Sequence, residues 1–212
     1  MKEVGSVRHR RLEGHMRPDL IWRLGILALT IPSQAATQAA AQAAPARWFV
    51  AEMRQLVTQP GVWWVTDNAV YRGPNEPFVR YATHWTTEDD GWTVAGRLVA
   101  VDTAGNVLPM WSYRMFWHPG EGQGYLMQTS SWGAYATGPM RLDSTAASRT
   151  ILNDQDSWQP GGAAARSRHR SWFADADTHL TESFTWRDGA WVPHRTYRWV
   201  RQSFDPAPGP SR

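Results

Sequence analysis

The chain reads as an all-β protein: an antiparallel up-and-down β-barrel of about ten strands, preceded by one short helix. Three observations predict this. Runs rich in β-branched and aromatic residues recur at short, regular spacing, and Gly, Asn and Asp turns separate them. Aromatic residues make up 12% of the 212 residues and include 14 Trp, which suits pleated strands that each bury a large ring on one face. Open twisted sheets of this size curl or split, and closure removes the unpaired edges, so a barrel is expected rather than a flat sheet.

Residues 1–45 precede the barrel as a leader and an Ala/Gln-rich linker. Within 16–45, MRPDLIWRLGILALTIPSQAATQAAAQAAP, Arg17 and Arg23 stand before an apolar run from Leu24 to Ile31 and then small residues. That is the layout of a signal peptide with its start at Met16, and small residues permit cleavage after Ala35 or after Ala43. The apolar run is shorter than the roughly 20 residues a helix needs to cross a bilayer, so no stable membrane span is expected. The alternative is a packed N-terminal helix and linker. Export to the periplasm or the cell exterior follows from the leader.

From Ala46 to Val57, ARWFVAEMRQLV sets Trp48, Phe49, Met53, Leu56 and Val57 at helical spacing, and Pro60-Gly61 ends the segment. An amphipathic helix of this length is expected to close one end of the barrel. The first strand then opens at Gly61 and runs to about Tyr71. The next strands are expected at Phe78 to Thr87, Trp92 to Asp102 and Val107 to His118, with Thr103-Ala104-Gly105-Asn106 turning the chain between the last two. Gly124 to Trp132, Ala134 to Leu142 and Ser148 to Asp154 follow, and Trp158 to Gly162 reads as a loop. Ala165 to Ala174, Thr178 to Arg187 and Trp191 to Gln202 complete the set. The barrel domain is 46–204, and 205–212, with three prolines, reads as a flexible tail.

Charge and cysteine content narrow the function classes. Of 22 Lys and Arg and 19 Asp and Glu, six and three precede Pro45, which leaves 16 of each in the barrel region. A neutral domain offers no electrostatic footprint for nucleic acid, so no nucleic-acid partner is expected. With no cysteine, disulfides, thiolate metal sites and a cysteine nucleophile are all excluded.

A short helix leading into Gly61-x-Trp63, a meander of hairpins that includes GRLVAVDTAGNVLPMWSYRMFWHP, and a final strand bearing Arg195, Arg198 and Arg201 resemble the calycin superfamily of lipocalins and fatty-acid-binding proteins. The likeness runs from about Leu56 to Val200 and is nearest to bacterial lipocalin-like domains of unassigned function. It implies structural roles for Gly61, Trp63 and Arg198, with Trp63 at the closed end under Arg198 or Arg201. The helix-turn-helix lid of fatty-acid-binding proteins has no counterpart between Arg72 and Pro77.

Inside such a barrel the inward side chains either fill the space or line a cavity for one small ligand. Tyr113, Arg114, Gln128, His169 and His194 are the candidate ligand-binding residues for a small, largely apolar molecule. The five histidines after the leader show no H-x-H or H-E-x-x-H spacing, so no metal site is expected. His169 or His194, mid-strand near the C-terminus, is where a haem would be held, by likeness to haem-binding ten-stranded barrels; otherwise no cofactor is expected. Arg166, Arg168 and Arg170 share one face, either a solvated outer ladder or an inward anion site. No nucleophile elbow is present. Glu182 with His194 is the one acid–base couple that neighbouring strands offer an isomerase or hydrolase. Which strand face points inward is left open, because a one-residue slip exchanges the faces.

Overall fold

Ten antiparallel strands close into a single barrel in which each strand pairs with its neighbours in sequence and β1 pairs with β10. The structure is a computed structural model that describes residues 44–88 and 92–206. The expected leader with its cleavage positions, residues 89–91, and residues 207–212 of the expected tail lie outside the described residues. The strands are β1 (Val62–Asp67), β2 (Phe78–Thr87), β3 (Thr93–Asp102), β4 (Val107–His118) and β5 (Gln123–Ser130). They continue as β6 (Tyr135–Leu142), β7 (Ile151–Trp158), β8 (Ala164–Phe173), β9 (Thr178–Arg187) and β10 (Ala190–Ser203). Among the described residues no helix is long and apolar enough to cross a membrane.

Register decides what faces inward. Trp85, Gly96 and Tyr113 are successive partners on β2, β3 and β4, and Tyr113, Gln128 and Ala136 are successive partners on β4, β5 and β6. The row Trp111, Tyr113, Met115 and Trp117 therefore points in, and Ser112, Arg114, Phe116 and His118 point out. β7 sends Ile151, Asn153 and Gln155 inward, and their partners Ser171, His169 and Ser167 follow on β8. The Arg ladder of β8 is consequently an outer ladder. Arg168 grips Asp154 with Nε and Nη2 at 2.5 and 2.9 Å, Arg170 donates to Glu182 at 3.0 Å, and Arg166 lies 3.4 Å from Asp156.

The helix α1 (Arg47–Leu56) plugs one end. Its buried residues Phe49, Met53 and Leu56 fall three or four apart, on one face. They meet Trp64, Trp85, Met115, Met140 and Ile151 in the main core. Phe49 enters because Gly124 is opposite; a Cβ there would stand 2.5 Å from the ring. The helix thus packs on the inward row of β4, with Trp117 5.4 Å from Phe49 and 6.3 Å from Trp48, and not on the outer row.

The C-terminal end of α1 is held by two side chains. Trp64 Nε1 donates to the Leu56 carbonyl at 2.8 Å, and Arg201 Nη2 donates to the Gln55 carbonyl at 2.8 Å. Both carbonyls lie in the last turn, where intrahelical partners run out and a cation is favoured. Arg201 also sits 4.5 Å over the Trp64 ring. The tryptophan at the closed end is therefore Trp64, one residue beyond the expected Trp63. Trp63 is buried on the outer wall, with Arg97 4.7 Å over its ring and Phe204 5.4 Å away. Arg198 faces outward and donates to Thr178 Oγ1 at 3.3 Å. Gly61, at φ 80°, makes the turn into β1.

Three boundaries depart from the sequence expectation by three residues or more. β1 stops at Asp67, because its Oδ1 accepts the Ala69 N–H at 2.5 Å and starts a 3₁₀ turn over Ala69–Tyr71. β7 begins at Ile151, since the Asp143 carboxylate holds Thr145 in a turn. Trp158, expected in a loop, is the last residue of β7 and stacks on its partner Tyr135 at 5.6 Å.

Candidate functional site

The interior beyond α1 is a lumen with two unlike walls. On the β2–β5 side lie Trp85, Leu98, Tyr113 and Leu126. Trp85 and Tyr113 stack at 5.3 Å with 20° between their planes, reaching across β3 because Gly96 lies between them. A Cβ on Gly96 would stand 2.6 Å from the indole. On the β7–β9 side the inward residues are Asn153, Gln155, Ser167, His169, Ser171, Thr181 and Ser183. This wall is made of amides, hydroxyls and one imidazole.

Several inward residues, among them Leu98, Tyr113, Leu126, Gln128, His169 and Ser183, are only partly buried. In a closed wall with α1 across one end, that exposure is toward the lumen. Tyr113 and His169 are nonetheless deep: burial pushes the Tyr113 hydroxyl well above its ordinary value. Burial and then the charge of His194 lower the His169 imidazole to about 4, against a smaller opposing effect of Asp154, so His169 is neutral at pH 7.

A hydrogen-bonding belt runs between the two walls. Gln128 Nε2 on β5 donates to Gln155 Oε1 on β7 at 2.8 Å. The two amides meet over β6, whose inward positions there are only Ala136 and Gly138. Gln155 is 2% exposed and its Nε2 has no partner among the described residues. Asn153 donates twice to the β6 backbone, at 3.0 Å to both Gly138 and Pro139, and its Oδ1 is likewise unpartnered. Buried amide hydrogens without acceptors are rare in folded proteins, because each costs roughly 1–3 kcal/mol. Two unpartnered atoms of opposite kind, the Gln155 Nε2 donor and the Asn153 Oδ1 acceptor, stand on the inward face of β7, and they mark a place for polar atoms of something bound.

At the end opposite α1, the β1–β2 connection is strapped to β10. The Glu76 carboxylate accepts from Arg195 through both terminal guanidinium nitrogens, from Tyr81 Oη at 2.7 Å and from Asn68 Nδ2 at 3.0 Å. Tyr197 Oη closes the group by donating to Asn68 Oδ1 at 2.8 Å. Burial alone would raise the Glu76 pKa, but the bonds from Arg195, Tyr81 and Asn68 outweigh it and hold the carboxyl below its usual range.

Of the candidate binding residues, Tyr113, Gln128 and His169 face the lumen, whereas Arg114 and His194 do not. Arg114 stands on the outer face, ion-paired with Glu88. His194 is exposed in a bulge where the β9–β10 register shifts between Pro193 and Arg195, which takes it out of the inward alternation. Glu182 is not joined to His194: it faces outward and is spent on Arg170. His179 is buried at the closed end against Phe173 at 4.4 Å, and burial lowers its pKa to about 3. Among the described residues no group of three His, Asp or Glu is placed to hold a metal ion. For a haem, His169 is the inward histidine, its ring without a protein hydrogen bond among the described residues, and His194 stands exposed at the β10 bulge, close enough for its charge to act on His169.

Gln155 and Glu76 are the residues that sequence reasoning missed. A Gln between aspartates on a short strand carries no motif, and only the small residues Ala136 and Gly138 on the intervening strand hint that something must reach across. Two clefts of about 540 and 510 Å³ lie on the outer wall, one between Trp63, His84, Arg97 and Phe204 and the other beside Tyr71, Arg80 and Arg198. Neither contains a belt residue. Compared by sequence with known proteins, the chain matches no family model and no curated protein.

Proposed function

We propose that this chain is an exported, lipocalin-like barrel that binds one small, largely apolar molecule in its lumen. The observation that carries the reading is the Gln155 amide: fully buried, oriented by Gln128, and left with an unused N–H beside inward residues that remain accessible. Concave, mostly apolar sites with a few placed polar groups are the usual form of a small-molecule site. Leu98, Tyr113 and Leu126, with Trp85 buried behind Tyr113, supply the apolar contact, and Gln155 and His169 supply the anchors. Export is supported by the leader pattern in residues 16–45.

Native mass spectrometry on protein purified gently from its own host tests the reading. A retained small molecule, lost on mild denaturation, is the expected result. Its absence, together with failure of the apolar dye Nile red to bind, would end it. The absorption spectrum of the same sample decides the cofactor question, since a Soret band would replace the apolar ligand with haem and make His169 its first ligand to test.

A further inference from the structure

Building on the lumenal reading, we infer that the preferred ligand is a neutral, planar molecule: an aromatic ring that bears a carbonyl or ring-nitrogen acceptor on one edge.

The ring follows from the apolar wall. Trp85 on β2 and Tyr113 on β4 stack on each other across β3, with Tyr113 the partly exposed ring of the pair, and Gly96 stands at that register because a side chain there would occupy the same space as the indole. Offset stacking on such a platform favours a flat guest over a flexible chain.

The acceptor follows from the belt. Gln155 Nε2 is an unused donor in a buried position, and no protein group bonds the Tyr113 hydroxyl or the His169 ring among the described residues. These groups stand on β4, β7 and β8, on either side of the Gln128–Gln155 contact. A guest lying on the aromatic wall and bearing one acceptor edge satisfies the donor that folding leaves unpaired, and an aliphatic guest does not.

Neutrality follows from how the interior charges are already committed. Arg195 is bonded to Glu76 at the mouth, and Arg201 is bonded to the end of α1 over Trp64. Both inward histidines are uncharged near pH 7. An ionised guest would enter a desolvated site with no counter-charge to meet it.

Tryptophan-quenching titrations of the full chain at pH 7 with 2-naphthamide, 2-naphthoate and naphthalene separate the three requirements, with Nile red as a general probe of the lumen. 2-Naphthamide is expected to bind at least about tenfold more tightly than either 2-naphthoate or naphthalene. Gln155→Leu is expected to abolish its advantage over naphthalene while Nile red binding persists, which also reports that the variant is folded. Tyr113→Phe, a smaller change, is expected to reduce the same advantage. Equal binding of the naphthoate, or an amide advantage that survives Gln155→Leu, overturns the ligand class and leaves lumenal binding standing. Failure of all four probes overturns lumenal binding itself.

Discussion

Gly96 and Gln155 carry opposite tasks at the same level of the barrel. Gly96 makes room: with no side chain, it lets the Trp85 indole lie across β3 onto Tyr113. Replacing it with Ala forces the ring off its rotamer, so Gly96→Ala is expected to lower stability by about 1–3 kcal/mol and to weaken Nile red binding; a urea melt with a dye titration checks both. Gln155 is the reverse case, a side chain larger and more polar than folding needs. Its amide leaves a buried N–H unpaired, so Gln155→Leu is expected to keep or slightly raise the urea midpoint while losing ligand affinity. A residue that costs stability and serves binding is the signature of a site.

At the scale of elements, α1 is a stopper fixed at both its face and its end. Its face is Phe49, Met53 and Leu56, and its end is tied by Trp64 and Arg201. The same face carries Glu52, 1% exposed, with one oxygen unpartnered and Arg149 3.8 Å away. Burial raises its pKa to about 7, with Arg149 opposing. A carboxyl whose folded value lies above its unfolded value contributes fully below the unfolded value of about 4.3, and that contribution is lost as pH rises through the folded value. Glu52→Gln is therefore expected to stabilise the barrel at pH 8, by on the order of 3 kcal/mol, and to change little at pH 4; thermal melts at the two pH values test this. The Glu76 strap has the opposite sign. Its carboxyl is held below the usual range, so the strap contributes above pH of about 4.3 and weakens as pH falls through the lowered value. Glu76→Gln is expected to cost about 1–3 kcal/mol at pH 7 and much less in acid, with hydrogen exchange of the β1–β2 connection showing where the loss falls.

How much of this the sequence carries depends on the element. β2, β4 and β9 are delimited by turn residues at both ends and were legible to the residue, and α1 was legible from its spacing. Which row of β4 faces inward was not, because in the sequence Met110 and Phe116 make their row nearly as apolar as the other; in the fold the β3–β4 register shifts at Leu98/Val99 and Met110 packs against the main core. Tyr113 and Arg114, on opposite rows, therefore both stand among the candidates, and only Tyr113 faces in. The slip from Trp63 to Trp64 has the same origin: two adjacent tryptophans point to opposite faces, and nothing local says which is inside. His194 was displaced by a bulge, which breaks the alternation a strand is read by. The Gln128–Gln155 contact spans 27 residues and an intervening strand, so it follows from closure and register, not from any motif.

For the molecule as a whole, the barrel divides into a filled end and an open one. Inward tryptophans Trp64, Trp85 and Trp117 gather around α1, while the middle is lined by partly exposed Leu98, Leu126, Gln128 and His169. The two inward histidines are expected to make the fold acid-sensitive. Their folded values, about 4 and about 3, lie below the unfolded value near 6.5, so the stability present above pH of about 6.5 falls as pH drops toward 4. His169→Gln is expected to remove part of that slope in urea melts between those limits.

The most direct test of the account is to observe the Gln155 amide while a ligand binds. In a two-dimensional ¹⁵N spectrum with assigned glutamine side chains, titrating 2-naphthamide or Nile red is predicted to shift the Gln155 and Gln128 Nε2 resonances and leave the Trp63 indole unmoved. Saturable binding that moves the Trp63 indole of the outer cleft and leaves both glutamine amides in place would contradict it.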